Sequence, residues 1–362
     1  MSADAGDKLS PMVTLRDLAQ ATGLSRAAVS YALRNNPKVP EATRRRVQEC
    51  AKKLGYRQDP DVQKLMARLR EIRRVRRHAK IAIISPEFSR EEIRGDRIIQ
   101  EMQRGIEARA EELGYGIELF TLAEFSGNAK RLRTILLTRN IEGCILTPLG
   151  EAHGAGKVSL EFSDIAAVAI GYSIREPRLN RVCTHHMQMM KDTVGRLVSS
   201  GYRKIGLVLN HRYDDGSHNL LAAAFLYLQQ KLPARRRIPI LYSEQNEDAE
   251  TLRWLRRHQP DVVIGLPRIY DLLVRRGFRV PNKISFCCLD VARDERPFAG
   301  LDHRYRQIGA AATDMVIEHI VLNRKGLPTE PRVLMVDNTW RAGNSVRSDP
   351  VKSRSRVSDA LI

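Results

Sequence analysis

The chain has 362 residues, too many for one small domain and about right for a small module plus one or two α/β lobes. Its 61 lysines and arginines outnumber 42 aspartates and glutamates, giving a formal charge of +19, and residues 1–80 alone hold 19 of the former against 8 of the latter. Such asymmetry points to a polyanionic partner, because cations that neutralise phosphates release counterions, although charge alone equally suits RNA or an anionic membrane. No apolar run reaches the length needed to cross a bilayer, and the opening MSADAGDKLS lacks the basic-then-apolar order of a secretion signal, so the expected location is the cytoplasm.

Residues Thr14 to Leu33, TLRDLAQATGLSRAAVSYAL, have the spacing of two short helices joined by a tight turn. The first runs over 15–22 with Thr14 as its N-cap and Leu15, Leu18 and Ala19 turned inward. Gly23 supplies the left-handed turn, and Leu24 fills the gap between the helices. Ser25 caps a second helix whose Ala28, Val29 and Ala32 face back, leaving Arg26, Ala27, Ser30 and Tyr31 outward. Such a face fits the major groove, so the helix-turn-helix decides for duplex DNA. An ordinary helical hairpin in a core is the bland alternative.

Residues 13–56 closely resemble the headpiece of the lactose repressor/galactose repressor family of bacterial transcription regulators. The shared features are VTL-x-D-x-A, the GLS turn, VS-x-x-L, N-x-x-x-V, TR-x-x-V and the closing LGY. The expected headpiece spans 12–57, with Arg26 reading a guanine, Ala27 leaving room for a thymine methyl, and Thr14, Ser25, Asn35 and Asn36 touching phosphates. Tyr31 stands where many family members have arginine. Residues 58–78 open with the helix start Asp59-Pro60 and are rich in arginine, whose mutual repulsion DNA would relieve. The resemblance implies a hinge helix here, with Leu65 as a minor-groove wedge. Gln58-Asp59 replaces the family's Pro-Asn and Val62-Gln63 its alanine-arginine, and a solvated basic linker remains the alternative.

From Lys80 onward short apolar runs alternate with amphipathic stretches such as 97–113 and 193–200. KIAIIS (80–85), GIELFTL (116–122), IEGCILTP (141–148), IAAVAIG (165–171), KIGLVLN (204–210), IPILYS (238–243), DVVIGLP (261–267) and ISFCCLD (284–290) predict strands buried on both faces of a parallel sheet. The resemblance continues in GY-x-K-I-G at 201–206, G-x-x-V-P at 277–281, Q-x-G-x-x-A at 307–312 and W-R-x-x-N-S at 340–345. It implies an all-α helix-turn-helix headpiece plus an α/β two-lobed, periplasmic-binding-protein-like domain with parallel sheets over 79–345. The expected crossovers lie near 172–195, 300–305 and 323–330, with a disordered tail over 346–362.

Ligands of such folds bind at the carboxyl ends of strands, between the lobes. Residues so placed are Glu87, Tyr172, His211, Arg268 and Asp290, with His303 near a crossover. Against the sugar clamp of the family, Asn219 stands for the arginine, Leu266 for the asparagine and His303 for the crossover residue, while Asp290 matches the aspartate. The loss of such hydrogen-bonding partners weakens sugar affinity, so the effector, a sugar or related metabolite, is different, weak or lost.

No catalytic constellation is found. HGAGKVS (153–159) has the wrong glycine spacing and Val158 in place of Ser or Thr for a phosphate loop, and G-x-S-x-G and G-x-G-x-x-G are missing. The five cysteines form no C-x-x-C pair, and Cys183, His185 and His186 alternate in direction at a strand end, so neither disulfide, metal nor cofactor is expected. The reading is a homodimeric, sequence-specific regulator, a repressor, on a pseudopalindromic operator. A non-specific architectural DNA binder with a vestigial cleft, and an exported ligand-binding protein, are the alternatives.

Overall fold

The computed structural model describes residues 15–33, 36, 39–56, 79–125, 128–150, 156–244 and 248–347. Thr14, Asn35, Leu65, the whole 58–78 hinge and the chain beyond 347 lie outside these residues, as do the side chains of Leu15, Arg26 and Ala27. Three helices come first: α1 (Leu15–Thr22), α2 (Arg26–Leu33) and α3 (Glu41–Leu54). Leu18, Val29, Ala32, Val39, Val47 and Ala51 are buried between them, a core small enough to depend on the tight α1–α2 turn.

The first lobe (N-lobe) starts with β1 (Ala79–Ser85), α4 (Arg90–Gly95), α5 (Arg97–Glu112), β2 (Tyr115–Thr121), α6 (Ala129–Thr138) and β3 (Ile141–Leu146). It continues with β4 (Gly156–Lys157), β5 (Ala166–Ile170), β6 (Ile174–Glu176) and β7 (Asn180–Thr184). The second lobe (C-lobe) holds α7 (His186–Ser199), β8 (Ile205–Leu209), α8 (His211–Gly216), α9 (Leu220–Gln230), β9 (Leu241–Tyr242), α10 (Asp248–His258) and β10 (Val262–Gly265). α11 (Pro267–Arg275), β11 (Ser285–Cys288) and β12 (Gly300–Asp302) complete it. α12 (Tyr305–Val321) and β13 (Val333–Val336) return to the N-lobe, and β14 (Thr339–Arg341) to the C-lobe.

Each lobe has a six-stranded sheet, in the orders β13-β7-β5-β3-β1-β2 and β14-β12-β11-β10-β8-β9. Pairing is parallel throughout except for β14, which runs antiparallel to β12. The β5, β8, β10 and β11 strands are buried along their whole length, as continuous apolar runs in a helix-covered parallel sheet should be. Edge strand β2 is only half-buried over most of its length, because no strand covers its outer side.

The chain crosses between lobes at 185, at 303–304 and at 337–338. The third crossing corrects the expected 323–330: those residues turn from α12 towards β13 within the N-lobe, and β13 was hidden by its exposed Val333, Leu334 and Met335. IPILYS shortens to Leu241–Tyr242, the strand end expected at Cys183 is that of β7, and β4, β6, β12, β13 and β14 were not foreseen, most being too short to show a period. Val346 and Arg347, expected in a disordered tail, are placed in the fold: Val346 packs on the C-lobe core and the Arg347 amide donates to the Tyr202 hydroxyl at 3.0 Å. Long-range closure of the N-lobe comes from α12 crossing α5, where a Cβ on Gly309 would stand 2.2 Å from the Met102 carbonyl oxygen.

Candidate DNA-reading helices and interlobe cleft

Gly23 takes φ +68°, a conformation that costs a side-chain-bearing residue, and lets the Leu24 amide return to the Ala19 carbonyl at 3.1 Å. Ser25 Oγ accepts from the Ala28 amide at 3.2 Å and so satisfies one orphan donor of α2. Arg46 on α3 donates to the Thr22 carbonyl at 3.0 Å, tying the end of α1 to the third helix. With Val29 and Ala32 fully buried, the opposite face of α2 carries Ser30 and Tyr31, the latter 46% exposed. Arg26 and Ala27 open that helix, in the first turn that meets base edges in such motifs. Asn36 is half-buried just beyond it and its amide donates to the Tyr31 carbonyl at 2.9 Å.

Between the lobes lies a cavity of about 290 Å³, small among ligand pockets. Its walls are ring-rich: Phe88, Tyr172, His186, Tyr213, His303 and Tyr305 all line it. His303 stacks on Tyr305 with centroids 5.4 Å apart, and Tyr172 lies 5.9 Å from His186. Arg212 and Arg293 add positive charge, while Asp96 is engaged as the N-cap of α5, accepting from the Ile99 amide at 2.9 Å. His186 Nδ1 is buried without a hydrogen-bond partner, and burial, with His303 and His185 alongside, pushes its pKa down to about 3 despite the Thr184 backbone.

The structure sorts the expected effector residues. Tyr172 and His303 line the cavity. Asp290 is fully buried behind it, where its carboxylate accepts from Tyr305 at 2.6 Å and Arg293 at 3.1 Å. Glu87 stands beside Gly150, whose amide it accepts at 2.5 Å. Like Glu87 and Asp290, His211, Asn219 and Arg268 stand outside the cavity lining. His211 is exposed and stacks on Tyr242 at 4.2 Å. Asn219 follows His218 with both residues at positive φ, a turn held by the Asp214 carbonyl that leaves Asn219 in solvent. Arg268 donates to the Ser243 and Glu244 carbonyls and closes a loop. Tyr305, Arg293 and His186 were not foreseen as cleft residues; the short His303-x-Tyr305 spacing at the crossover was the signal for the first.

Cys183, His185 and His186 turn to different partners: the thiol to the Leu334 carbonyl, His185 to Asp337 at 3.0 Å and His186 to the cleft. Among the described residues no group of three or more His, Cys, Asp or Glu could hold a metal ion, and no helix is long and apolar enough to cross a membrane.

These elements define a two-lobed protein of the periplasmic-binding type carrying a helix-turn-helix. Residues 14–59 match the bacterial regulatory proteins of the lacI family, and residues 194–346 match the periplasmic binding protein-like domain. The HTH-type transcriptional repressor CytR of Escherichia coli strain K12 is 28% identical over 198 residues, 54% of this chain and 53% of that protein. The chain thus spans about half the length of the curated relatives it first matches. The regulator PtxS of Pseudomonas plecoglossicida is 24% identical over 324 residues, 85% of this chain and 89% of its own. The lac repressor dimer bound to operator and the anti-inducer ONPF shares the fold, with a TM-score of 0.54 at 17% identity over 93% of this chain and 100% of that one. The chain thus carries a helix-turn-helix similar to that of the lacI-family regulators and a periplasmic-binding-protein-like domain.

Proposed function

We propose that the chain is a sequence-specific DNA-binding transcriptional regulator, a repressor, acting in the cytoplasm as a homodimer on a pseudopalindromic operator. The observation that carries the reading is α2, capped by Ser25 and packed through Val29 and Ala32 on a three-helix core, with Tyr31 exposed on the opposite face, where a groove-reading helix presents its contacts. Arg26, Ala27, Ser30 and Tyr31 are the proposed base readers, and Thr14, Ser25, Asn35 and Asn36 the phosphate contacts. The proposed division is a headpiece over 12–57, a hinge over 58–78 carrying the Leu65 wedge, and an effector domain over 79–345.

An effector in the cleft acts by preferring one closure of the lobes, which the three crossovers transmit to the hinge. Tyr172, His186 and His303 are its proposed contacts, with Asp290 as support. Selection of bound sequences from a random duplex library at near-physiological salt, comparing the intact chain with Leu65→Ala, tests the reading. One enriched palindrome, weakened by the substitution, supports it. No enriched sequence overturns it in favour of the architectural DNA binder, the second reading that the high charge favours.

A further inference from the structure

The end of the C-lobe away from the cleft concentrates cations. Strands β8, β10 and β11 all start at the end away from the cleft, and α7, α10 and α11 lead into them there. At this pole α10 closes on Arg256, Arg257 and His258, and α11 on Arg275, followed by Arg276. The loop before β11 adds Arg279 and Lys283, and the approach to β8 adds Arg203 and Lys204. Of these, all but Lys204 and His258 are exposed. The Arg347 guanidinium lies over the Tyr202 ring at 5.0 Å.

Carboxylates that follow the strands sit mostly at the other end: Asp214 and Asp215 on α8 after β8 and Glu244 after β9. Asp261 does lie at the pole, where it accepts the Arg203 and Lys204 backbone amides at 2.8 and 2.9 Å. Arg275 reaches Asp248 at 3.3 Å, but among the described residues Arg203, Arg256, Arg257, Arg276, Arg279 and Lys283 form no ion pair. The cations are close enough to act on one another. After burial, Arg257 and Lys204 both hold the His258 pKa below its ordinary value, and Lys204 Nζ donates to the His258 carbonyl at 3.3 Å.

A helix C-terminus favours a cation or two, which accounts for part of α10 and α11. It does not account for Arg203, Arg279 and Lys283, which lie outside helices. A surface of one sign repels itself unless a polyanion covers it, and guanidinium forks match phosphate oxygens two at a time. β1 leaves the headpiece side at Ala79, at the end of the N-lobe away from the cleft, so the headpiece attachment and this pole lie at opposite ends of the two-lobed domain. We propose that the basic pole of the C-lobe is a second DNA-binding face, gripping the phosphates of a duplex without reading bases, so that a chain seated on DNA by its headpiece holds another duplex segment at its far end.

The test uses the full chain, two random-sequence duplexes carrying different dyes, and two-colour coincidence across a salt series. The comparison is the quadruple variant R256Q/R257Q/R276Q/R279Q, with its thermal melt checked against the parent. The expected result is abundant coincidence at low salt for the parent, falling steeply with added salt, and at least tenfold less for the variant while single-duplex binding stays within twofold. If the variant misfolds, R276Q/R279Q alone, with smaller expected loss, carries the comparison. Coincidence that survives in folded variants assigns bridging to the headpieces and overturns the proposal, as does its lack in the parent at low salt. Displacement of the second duplex by polyglutamate at lower charge concentration than by unlabelled DNA also overturns it, assigning the pole to an acidic protein.

Discussion

Thr184 and His303 meet where the first two crossovers pass each other: Thr184 Oγ1 pairs with His303 Nδ1 at 3.2 Å. His303 Nε2 faces the Leu289 carbonyl at 3.0 Å, an acceptor only, so that nitrogen carries the proton. One buried ring therefore joins the end of an N-lobe strand to the C-lobe behind the cleft. His303→Ala should leave a buried hydroxyl and carbonyl unsatisfied and cost about 1–3 kcal/mol, read as a lower urea midpoint. An unchanged midpoint would mean that the lobes hold their relation without this bridge.

Behind the same cleft, the Asp290 carboxylate is fully buried between the Tyr305 hydroxyl and the Arg293 guanidinium. Removing the carboxylate leaves the Tyr305 hydroxyl, the Ala292 amide and the Arg293 guanidinium without their shared acceptor. Asp290→Ala is expected to cost about 3 kcal/mol or more in chemical denaturation, and Tyr305→Phe, which loses one of these bonds, only about 1–3. Equal losses from the two variants would contradict this ranking.

Packing of α12 on α5 is close enough that a methyl group at Gly309 meets backbone, the Met102 carbonyl oxygen at 2.2 Å, and not a movable side chain. Gly309→Ala should destabilise the protein by more than the ~1–3 kcal/mol of ordinary overpacking, because a helix must shift. Gly195, which has open space where a methyl group would stand, is the control: Gly195→Ala on α7 should be neutral or stabilising in the same melts.

In the headpiece, loss of the Ser25 cap by Ser25→Ala should cost about 1 kcal/mol of headpiece stability. Arg26→Ala should leave stability nearly unchanged and weaken the selected operator by about 1–3 kcal/mol, with preference relaxed at one base pair per half-site. Binding titrations on the operator and on single-base variants separate the two. Uniform weakening on every sequence would make Arg26 a phosphate contact.

The headpiece was legible because its information is local. The left-handed Gly23, the Ser25 cap and the i, i+3 spacing of Val29 and Ala32 each fix structure within a few residues, and α1 takes the foreseen bounds. The long apolar strands were legible for the same reason. The cleft was not, because its wall depends on backbone direction: positive φ at His218 and Asn219 swings Asn219 out, while Tyr305 comes in on a helix that follows a C-lobe strand and packs on the N-lobe. β13 escaped notice because an exposed apolar edge strand looks like neither a buried run nor an alternating one.

His186 makes stability depend on pH. Its folded pKa, about 3, lies below the ordinary 6.5 because burial and the neighbouring His303 and His185 disfavour the charged ring. Between these values the unfolded chain binds a proton that the folded chain refuses, so this group's contribution is full above about pH 6.5 and is lost as pH falls towards 3. Each pH unit within that window is worth up to about 1.4 kcal/mol, so going from pH 7 to pH 5 should remove about 2 kcal/mol. His258 and His319, whose pKa values are also lowered chiefly by burial, act in the same direction. Urea unfolding of His186→Gln at both pH values should show this share of the loss gone, with the remainder left to the other two rings. A variant that loses as much as the parent would place a charged His186 in the folded cleft.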